Sequence, residues 1–490
     1  MTCTINARAR KRSRTMRLAI LFPVALLAAV YSFTPARLGA ANNPPSHRQT
    51  ASSATALKIP PLAIKDVKLD NGLRVLIAAD HTAPVYGIAV TYNVGSRSEL
   101  PGHTGFAHLF EHMMFEGSQN VGKGEHDILV EKNGGEDNAS TNEDSTFYFE
   151  VLPKNQLDLG LFLEADRMRA LNVNQANLDN QRNAVQEERR LRIDNQPYGH
   201  AELDVDNLGY DNFAYKHSTI GSMDDLNHAA LGDFQDFFRT YYAPNDAVLS
   251  IVGDVDPDAT LELVKHYFGF IPSHVEPPRG DLSEPDHYGE RTATIYDPLA
   301  RLPLIFVAYH VAPGATAPNF SAHLLGDILG EGRSSRLYQY LVEDKQLATE
   351  IDVQVDSRIG TGQMYIEAIP REGVKPEELQ NALDKEIENL VANGVTQAEL
   401  DKAKAQELQA FVRIRQSDLR TAIYMGRDAV YFNDPQLINT AIGKYDALTL
   451  SDVNQAAKQI FQRDQRTVIT TLPAPPSKQP APGAAPDASH

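Results

Sequence analysis

The chain has 490 residues, 42% of them hydrophobic and 22% charged, with no Trp and a formal net charge of −18. That length exceeds one ordinary core and predicts roughly two to four domains. The acidity leaves no basic excess to neutralise phosphates, which argues against a nucleic-acid partner.

Residues 1–65 contain neither Asp nor Glu. Basic residues between Arg8 and Arg17 precede an apolar run from Leu18 to Phe33, then small residues around Gly39, Ala40 and Ala41. This order predicts a secretory signal peptide over residues 1–41 and export, into the periplasm of a bacterium. An Arg-rich transit peptide, leading to the mitochondrial matrix, is the competing reading. The run is shorter than the ~20 residues that span a bilayer, so no stable membrane anchor is expected. Loss of residues 1–41 removes seven basic groups, taking the charge to −25, and removes Cys3, the single cysteine. Residues 42–61 and the Pro/Ala-rich 473–490 are low-complexity and are expected to be a disordered linker and tail.

Between them the pattern is that of an α+β fold. In VKLDNGLRVLIAAD, Asn71-Gly72 separates two alternating apolar runs, a strong hairpin signal. A strand follows over Val85 to Val94, then the apolar helical run GFAHLFEHMMFEG at 105–117, a Gly134-Gly135 break and a β-rich segment from Ala139 to Leu152. Amphipathic helices from Leu157 to Met168 and from Leu178 to Ile193, and a strand from Ala247 to Val252, complete a first module at 62–272. A Pro-rich stretch from Pro272 to Pro285 marks a linker at 273–290. Leu304 to Tyr309, in strand pattern, belongs to a second module at 291–472.

FAHLFEHMMFEG at 106–117 aligns without a gap on SAHLLGDILGEG at 321–332. His323 stands at the place of His108, but Gly326 and Asp327 replace Glu111 and His112. The match predicts two homologous modules, each an antiparallel-rich mixed sheet packed with helices, the second without the polar trio.

Positions i, i+3 and i+4 share one helix face, so His108, Glu111 and His112 form a polar spot on an apolar helix. Two neutral imidazoles one turn apart can reach one zinc ion. Flanking Leu109, Phe110, Met113, Met114 and Phe115 indicate burial on nearly all other sides, where unpaired polar groups are costly. A catalytic zinc needs a third protein ligand, and Glu188 in QRNAVQEE, three residues after Val185, is the candidate; Glu187 points elsewhere. His2Glu plus water is an established hydrolytic zinc set. The order HxxEH inverts the commoner HExxH of zinc peptidases. Taken alone, the pattern also fits a surface helix with an i, i+4 pair.

The stretches GHTGFAHLFEHMMFEGS, GGEDNASTNEDSTFYFE, RNAVQEERRLRIDNQPYG, FFRTYYAPNDAVLSIVGDVDP and ILGEGRSSRLYQYLVEDKQLA occur in this order. Together they resemble the pitrilysin/insulinase family of zinc peptidases, which includes mitochondrial processing peptidase and bacterial relatives, over about residues 62–472. The resemblance implies one Zn2+ per chain, held by His108, His112 and Glu188, with Glu111 as general base. It implies a zinc endopeptidase acting on short or unfolded polypeptides, with a catalytically inert second module. A second carboxylate often lies seven residues before the third ligand; here that place holds Gln181, an amide able to orient a neighbour. Asn138, Ala139, Ser140 and Thr141 match the family's edge strand, which binds the peptide substrate by strand addition; an ordinary turn before an interior strand is the alternative. Tyr241, Tyr242, Pro244 and Asn245 also match and read as packing and turn residues.

Relatives supply an Arg and a Tyr, seven residues apart, from a module facing the zinc. Val342 and Thr349 occupy those places here. The resemblance therefore implies a partner chain of the same fold supplying Arg and Tyr, in a heterodimer, or else a homodimer. The alternative function is a non-catalytic assembly subunit that retains the fold.

Overall fold

The computed structural model describes residues 59–285 and 289–475. The expected signal peptide, and nearly all of the expected linker 42–61 and of the tail, lie outside these residues. Among the described ones, no helix is long and apolar enough to cross a membrane.

The Asn71-Gly72 signal forms a hairpin. Strand β1 (Ile64–Lys68) pairs antiparallel with β2 (Arg74–Ala79), and the Leu69 N–H donates to the Leu73 carbonyl at 2.9 Å, closing a turn wider than two residues. Gly72 has φ +90°, and a Cβ there would lie 2.6 Å from that of Asn245, so only glycine fits. The first sheet adds β3 (Val85–Tyr92), β4 (Glu136–Thr141), β5 (Thr146–Pro153) and β6 (Ala247–Gly253) in the order β1-β2-β6-β3-β5-β4. Its one parallel pair is β2 with β6. Every residue of β6 is buried, as its unbroken run AVLSIVG requires of a strand covered on both faces.

The second sheet contains β7 (Arg291–Asp297), β8 (Leu304–Val311), β9 (Ala348–Asp356), β10 (Gly362–Pro370) and β11 (Arg466–Pro473). Its order, β7-β11-β8-β10-β9, repeats β2-β6-β3-β5-β4 strand for strand. The parallel pair recurs as β7 with β11. The expected α+β duplication is thus borne out, with β1 as an addition to the first copy. The helices that matter below are α1 (Phe106–Met113), α2 (Gln175–Arg189), α3 (Gly199–Gly209), α4 (Ala317–Gly330), α5 (Gln397–Arg415) and α6 (Asp418–Phe432). In sequence, α4 lies between β8 and β9 as α1 lies between β3 and β4, which places His323 on the counterpart of the motif helix.

Two helices cross the expected boundary. On the first sheet, one face packs on α1 and its neighbours; the other is covered by α6, whose Ala422, Met425 and Ala429 meet Leu76, Ala89, Val248 and Val252. Reciprocally, Ala201 and Val205 of α3 pack on Leu304, Phe306, Ala308 and Ile469 of the second sheet. Gly426 of α6 explains how close this contact is: a Cβ there would lie 2.7 Å from Thr91 Oγ1 and 3.0 Å from Ser250 Oγ. Each expected module therefore completes the core of the other.

The connection 273–290 has no helix or strand among its described residues, yet it is tied down. Arg279 donates to the Asn93 carbonyl at 2.7 Å and pairs with Asp246, while Glu284 accepts from the amides of Asp211 and Asn212. The last residues of the expected linker 42–61 are also held, since the Pro60 carbonyl accepts from Arg415.

Candidate metal centre

Helix α1 begins without a side-chain cap of its own. Gly105 adopts φ +88°, and a Cβ there would strike the Ile220 carbonyl at 2.7 Å. The exposed first-turn amides are met instead by buried Glu99, whose carboxylate accepts from Gly105 N (2.9 Å) and Ala107 N (2.8 Å). A carboxylate suits the positive end of a helix. Burial pushes the Glu99 pKa up, although the His217 Nε2 contact at 3.0 Å and the two amides oppose that shift.

The apolar side of α1 is pinned by aromatic rings. Phe110 stacks on Phe234 at 4.8 Å and on Tyr242 at 5.1 Å, and Phe106 lies 4.7 Å from Phe234. Tyr242, read from sequence as a packing residue, is indeed buried in this stack. With one side fixed, His108, Glu111 and His112 face the other way, half-buried.

Helix α2 starts at Asn174, whose side chain accepts from Asn177 N, and brings Glu188 to the same place in its last turn. Glu188 Oε2 lies 3.2 Å from His112 Nε2 and 3.6 Å from His108 Nε2. The three donor atoms lie within 4.8 Å of one another, and among the described residues this is the one such group of three. Tetrahedral zinc ligands at ~2.0–2.2 Å stand about 3.4 Å apart, so the donor set fits the ion. Burial, then the neighbouring His112, lowers the His108 pKa to about 4 and keeps its imidazole neutral. Burial would raise Glu188, but the hydrogen bond from His112 and the two imidazoles outweigh it and the net shift is downward. Neutral His108 and ionised Glu188 are in the states that metal ligation needs, whereas for His112 burial is outweighed by Glu188 and the net shift is upward, so that ring gives up a proton when an ion binds.

Glu111 is not among the three donors. Burial raises its pKa, and the Thr141 hydroxyl, within hydrogen-bond reach of its carboxylate, acts in the opposite direction. Glu187, as expected, is exposed and pairs with Arg190. Arg192, in the π-helical turn Arg190–Asp194, grips the other oxygen of Glu188, Oε1, at 2.8 Å. Its i+4 spacing from Glu188 could have revealed it in the sequence.

Asn138 to Thr141 lie in strand β4, which ends the first sheet among the described residues, and not in a turn before an interior strand. The last residue of β4, Thr141, adjoins Glu111. Asn138 Oδ1 accepts from the Ala139 amide at 2.8 Å, so that backbone donor is already engaged. Gln181 lies two turns before Glu188, within hydrogen-bond reach of His112. Val342 is buried and Thr349 donates to the Ile369 carbonyl at 3.2 Å; neither offers a cationic or phenolic group. On α4, His323 bonds Ser357 at 2.9 Å, and its Nδ1 lies 4.0 Å from Glu407 of α5.

Residues 74–222 match the family model described as Insulinase (Peptidase family M16), and residues 229–407 match that described as Peptidase M16 inactive domain. The chain is 33% identical to zinc protease PqqE of Helicobacter pylori over 84% of its own length and 93% of that protein. It is 24% identical to the uncharacterized zinc protease YmxG of Bacillus subtilis over 82% of its own length and 96% of the relative. The crystal structure of a protease from Helicobacter pylori superposes with TM-score 0.80 at 32% identity, covering 84% of this chain and all of that one. The periplasmic protease PqqL of Escherichia coli shares the fold at TM-score 0.68 and 18% identity, with 84% of this chain matching 48% of that one. The donor set, the duplicated sheets and these likenesses agree, and the chain belongs to the M16 (pitrilysin/insulinase) family of zinc peptidases.

Proposed function

We propose that the chain is a zinc-dependent endopeptidase that hydrolyses short or unfolded polypeptides. The observation that carries this reading is the convergence of His108, His112 and Glu188 from two helices, with Glu111 beside them. The label of an inactive domain falls on residues 229–407, whereas the residues that carry the motif lie in 74–222.

His108 Nε2, His112 Nε2 and one Glu188 oxygen would hold the ion. Zinc in such a site supplies Lewis acidity, polarising a carbonyl and making water more acidic. The chain's own residues do the rest. A substrate strand laid along β4 pairs with its free edge and displaces the Asn138 side chain from the Ala139 amide. Its scissile carbonyl then lies near the Thr141 end of the edge, where Glu111 stands. The Glu111 carboxylate takes a proton from the attacking water and returns it to the nitrogen of the leaving amine. The new C–O bond and the broken C–N bond balance hydrolysis with no other reactant.

Because Val342 and Thr349 offer no cationic or phenolic donor, the chain is read as the zinc-bearing half of a larger enzyme, with a partner of the same fold supplying Arg and Tyr. Export to the periplasm is part of the same reading. Zinc content, size-exclusion behaviour and cleavage of quenched peptides by the full chain, alone and mixed with an Arg/Tyr-bearing partner, test it. One zinc per chain with cleavage dependent on the partner is expected. Full activity as a monomer sinks the partner, and zinc without cleavage in any combination sinks the peptidase.

A further inference from the structure

The two imidazoles of α1 are held differently. His108 Nδ1 is buried and has no hydrogen-bond partner, so no polar group holds that ring on the side away from Glu188. His112 presents Nε2 to Glu188, which leaves Nδ1 for Gln181. The amide oxygen of Gln181 accepts there, since an imidazole N–H is the donor, and its Nε2 is left to donate elsewhere. It donates to Glu116 Oε1 at 2.6 Å and, at the longer distance of 3.1 Å, to exposed Asn180 Oδ1. Glu116 is buried, and Lys123 pairs with its other oxygen. Its backbone is fixed as well: the Glu116 carbonyl accepts from Asn177 of α2 at 3.2 Å, and its amide donates to Met113 of α1 at 3.0 Å.

We propose that Glu116 is a positioning residue for the metal centre, orienting His112 through Gln181. This rests on the zinc reading above. The physical case is directional. Gln181 could turn its amide either way; a carboxylate has only acceptors, so Glu116 forces the nitrogen toward itself and the oxygen toward His112. When an ion displaces the Nε2 proton that otherwise faces Glu188, the imidazole is thereby kept with its remaining proton on Nδ1 and its Nε2 lone pair free for the metal. Placing a carboxylate out of water is costly unless it is paired, and Lys123 with the Gln181 amide provides that pairing. Groups that orient ligating histidines in this way typically change metal affinity 10–100-fold when removed.

The test is zinc affinity, read by competition with a chromophoric chelator on the full chain, beside the thermal midpoint of each metal-free variant. Glu116→Ala and Gln181→Ala should each weaken zinc about 10–100-fold. Their double variant should lose no more than the weaker-binding single one, because both cut the same relay. Glu116→Gln, which keeps an acceptor for the Gln181 amide, should lose less than Glu116→Ala. Overturning results are unchanged affinity in both alanine variants, losses that multiply in the double variant, or a fall in thermal midpoint with affinity intact. A wild-type chain that takes up no zinc sinks the metal centre itself, and the relay with it.

Discussion

Glu111→Gln separates binding from chemistry. The substitution keeps the volume and removes one acidic group between the two imidazoles. The three donors within 4.8 Å of one another do not include Glu111, so zinc content should stay at one per chain. Loss of a general base costs roughly 10²–10⁴ in rate, or about 3–5 kcal/mol in the barrier. Stability should move the other way. Burial raises the Glu111 pKa, so folding favours its protonated form, and its contribution to stability is lost as pH rises through the folded-state value. A neutral amide escapes that loss; the metal-free variant should match wild type at low pH and gain on it as pH rises. The assay is kcat/KM on a quenched peptide with any required partner present, zinc analysis, and thermal unfolding after chelation at several pH values. A rate within tenfold of wild type with zinc retained would mean another group is the base. Loss of zinc would mean Glu111 is a ligand.

Phe110→Ala removes the ring stacked between Phe234 and Tyr242 and should cost roughly 3–5 kcal/mol in urea unfolding; a loss under ~1 kcal/mol would contradict the pinning of α1. Asp327→Asn concerns the second module, where burial and then nearby Glu407 raise the Asp327 pKa to about 8. A raised carboxylate pKa costs stability progressively between the unfolded value and about 8, so the gain in thermal midpoint should grow over that window and level off above it. A gain independent of pH would refute this. Finally, zinc at a hundredfold over its Kd should stabilise the wild type by about 2.7 kcal/mol relative to the chelated form; Glu188→Ala should abolish that shift in a thermal melt.

His108, Glu111 and His112 were legible because helical spacing alone puts them on one face. Glu188 was legible as a candidate from its place beside Val185 on an amphipathic helix, but nothing local ties α2 to α1, and the resemblance was needed to assign it as the ligand. Gln181 was visible as a departure from the family, but its orientation depends on Glu116 and Lys123, whose approach is set by tertiary packing. The strands of the first module were legible from alternation and from Asn71-Gly72. The half-exposed pattern of β7 was not, because strand pairing there comes from distant β11. Least legible was the exchange of α3 and α6, since an amphipathic helix states that it needs an apolar partner but not which one. Gly87 and Gly426 carried a faint signal: a Cβ on Gly87 in the middle of β3 would lie 2.6 Å from Leu419 Cα, and glycine inside regular structure often marks such close approach.

The exchange also bears on biosynthesis. At roughly 5–20 residues per second, translation needs on the order of 10–30 s to carry the ribosome from the end of the first sheet's own segment to the end of α6. Throughout that interval Leu76, Ala89, Val248 and Val252 lack their lid. A nascent chain with so long-lived a bare surface is a natural client for chaperones, and a product truncated before residue 418 would aggregate rather than fold as half an enzyme.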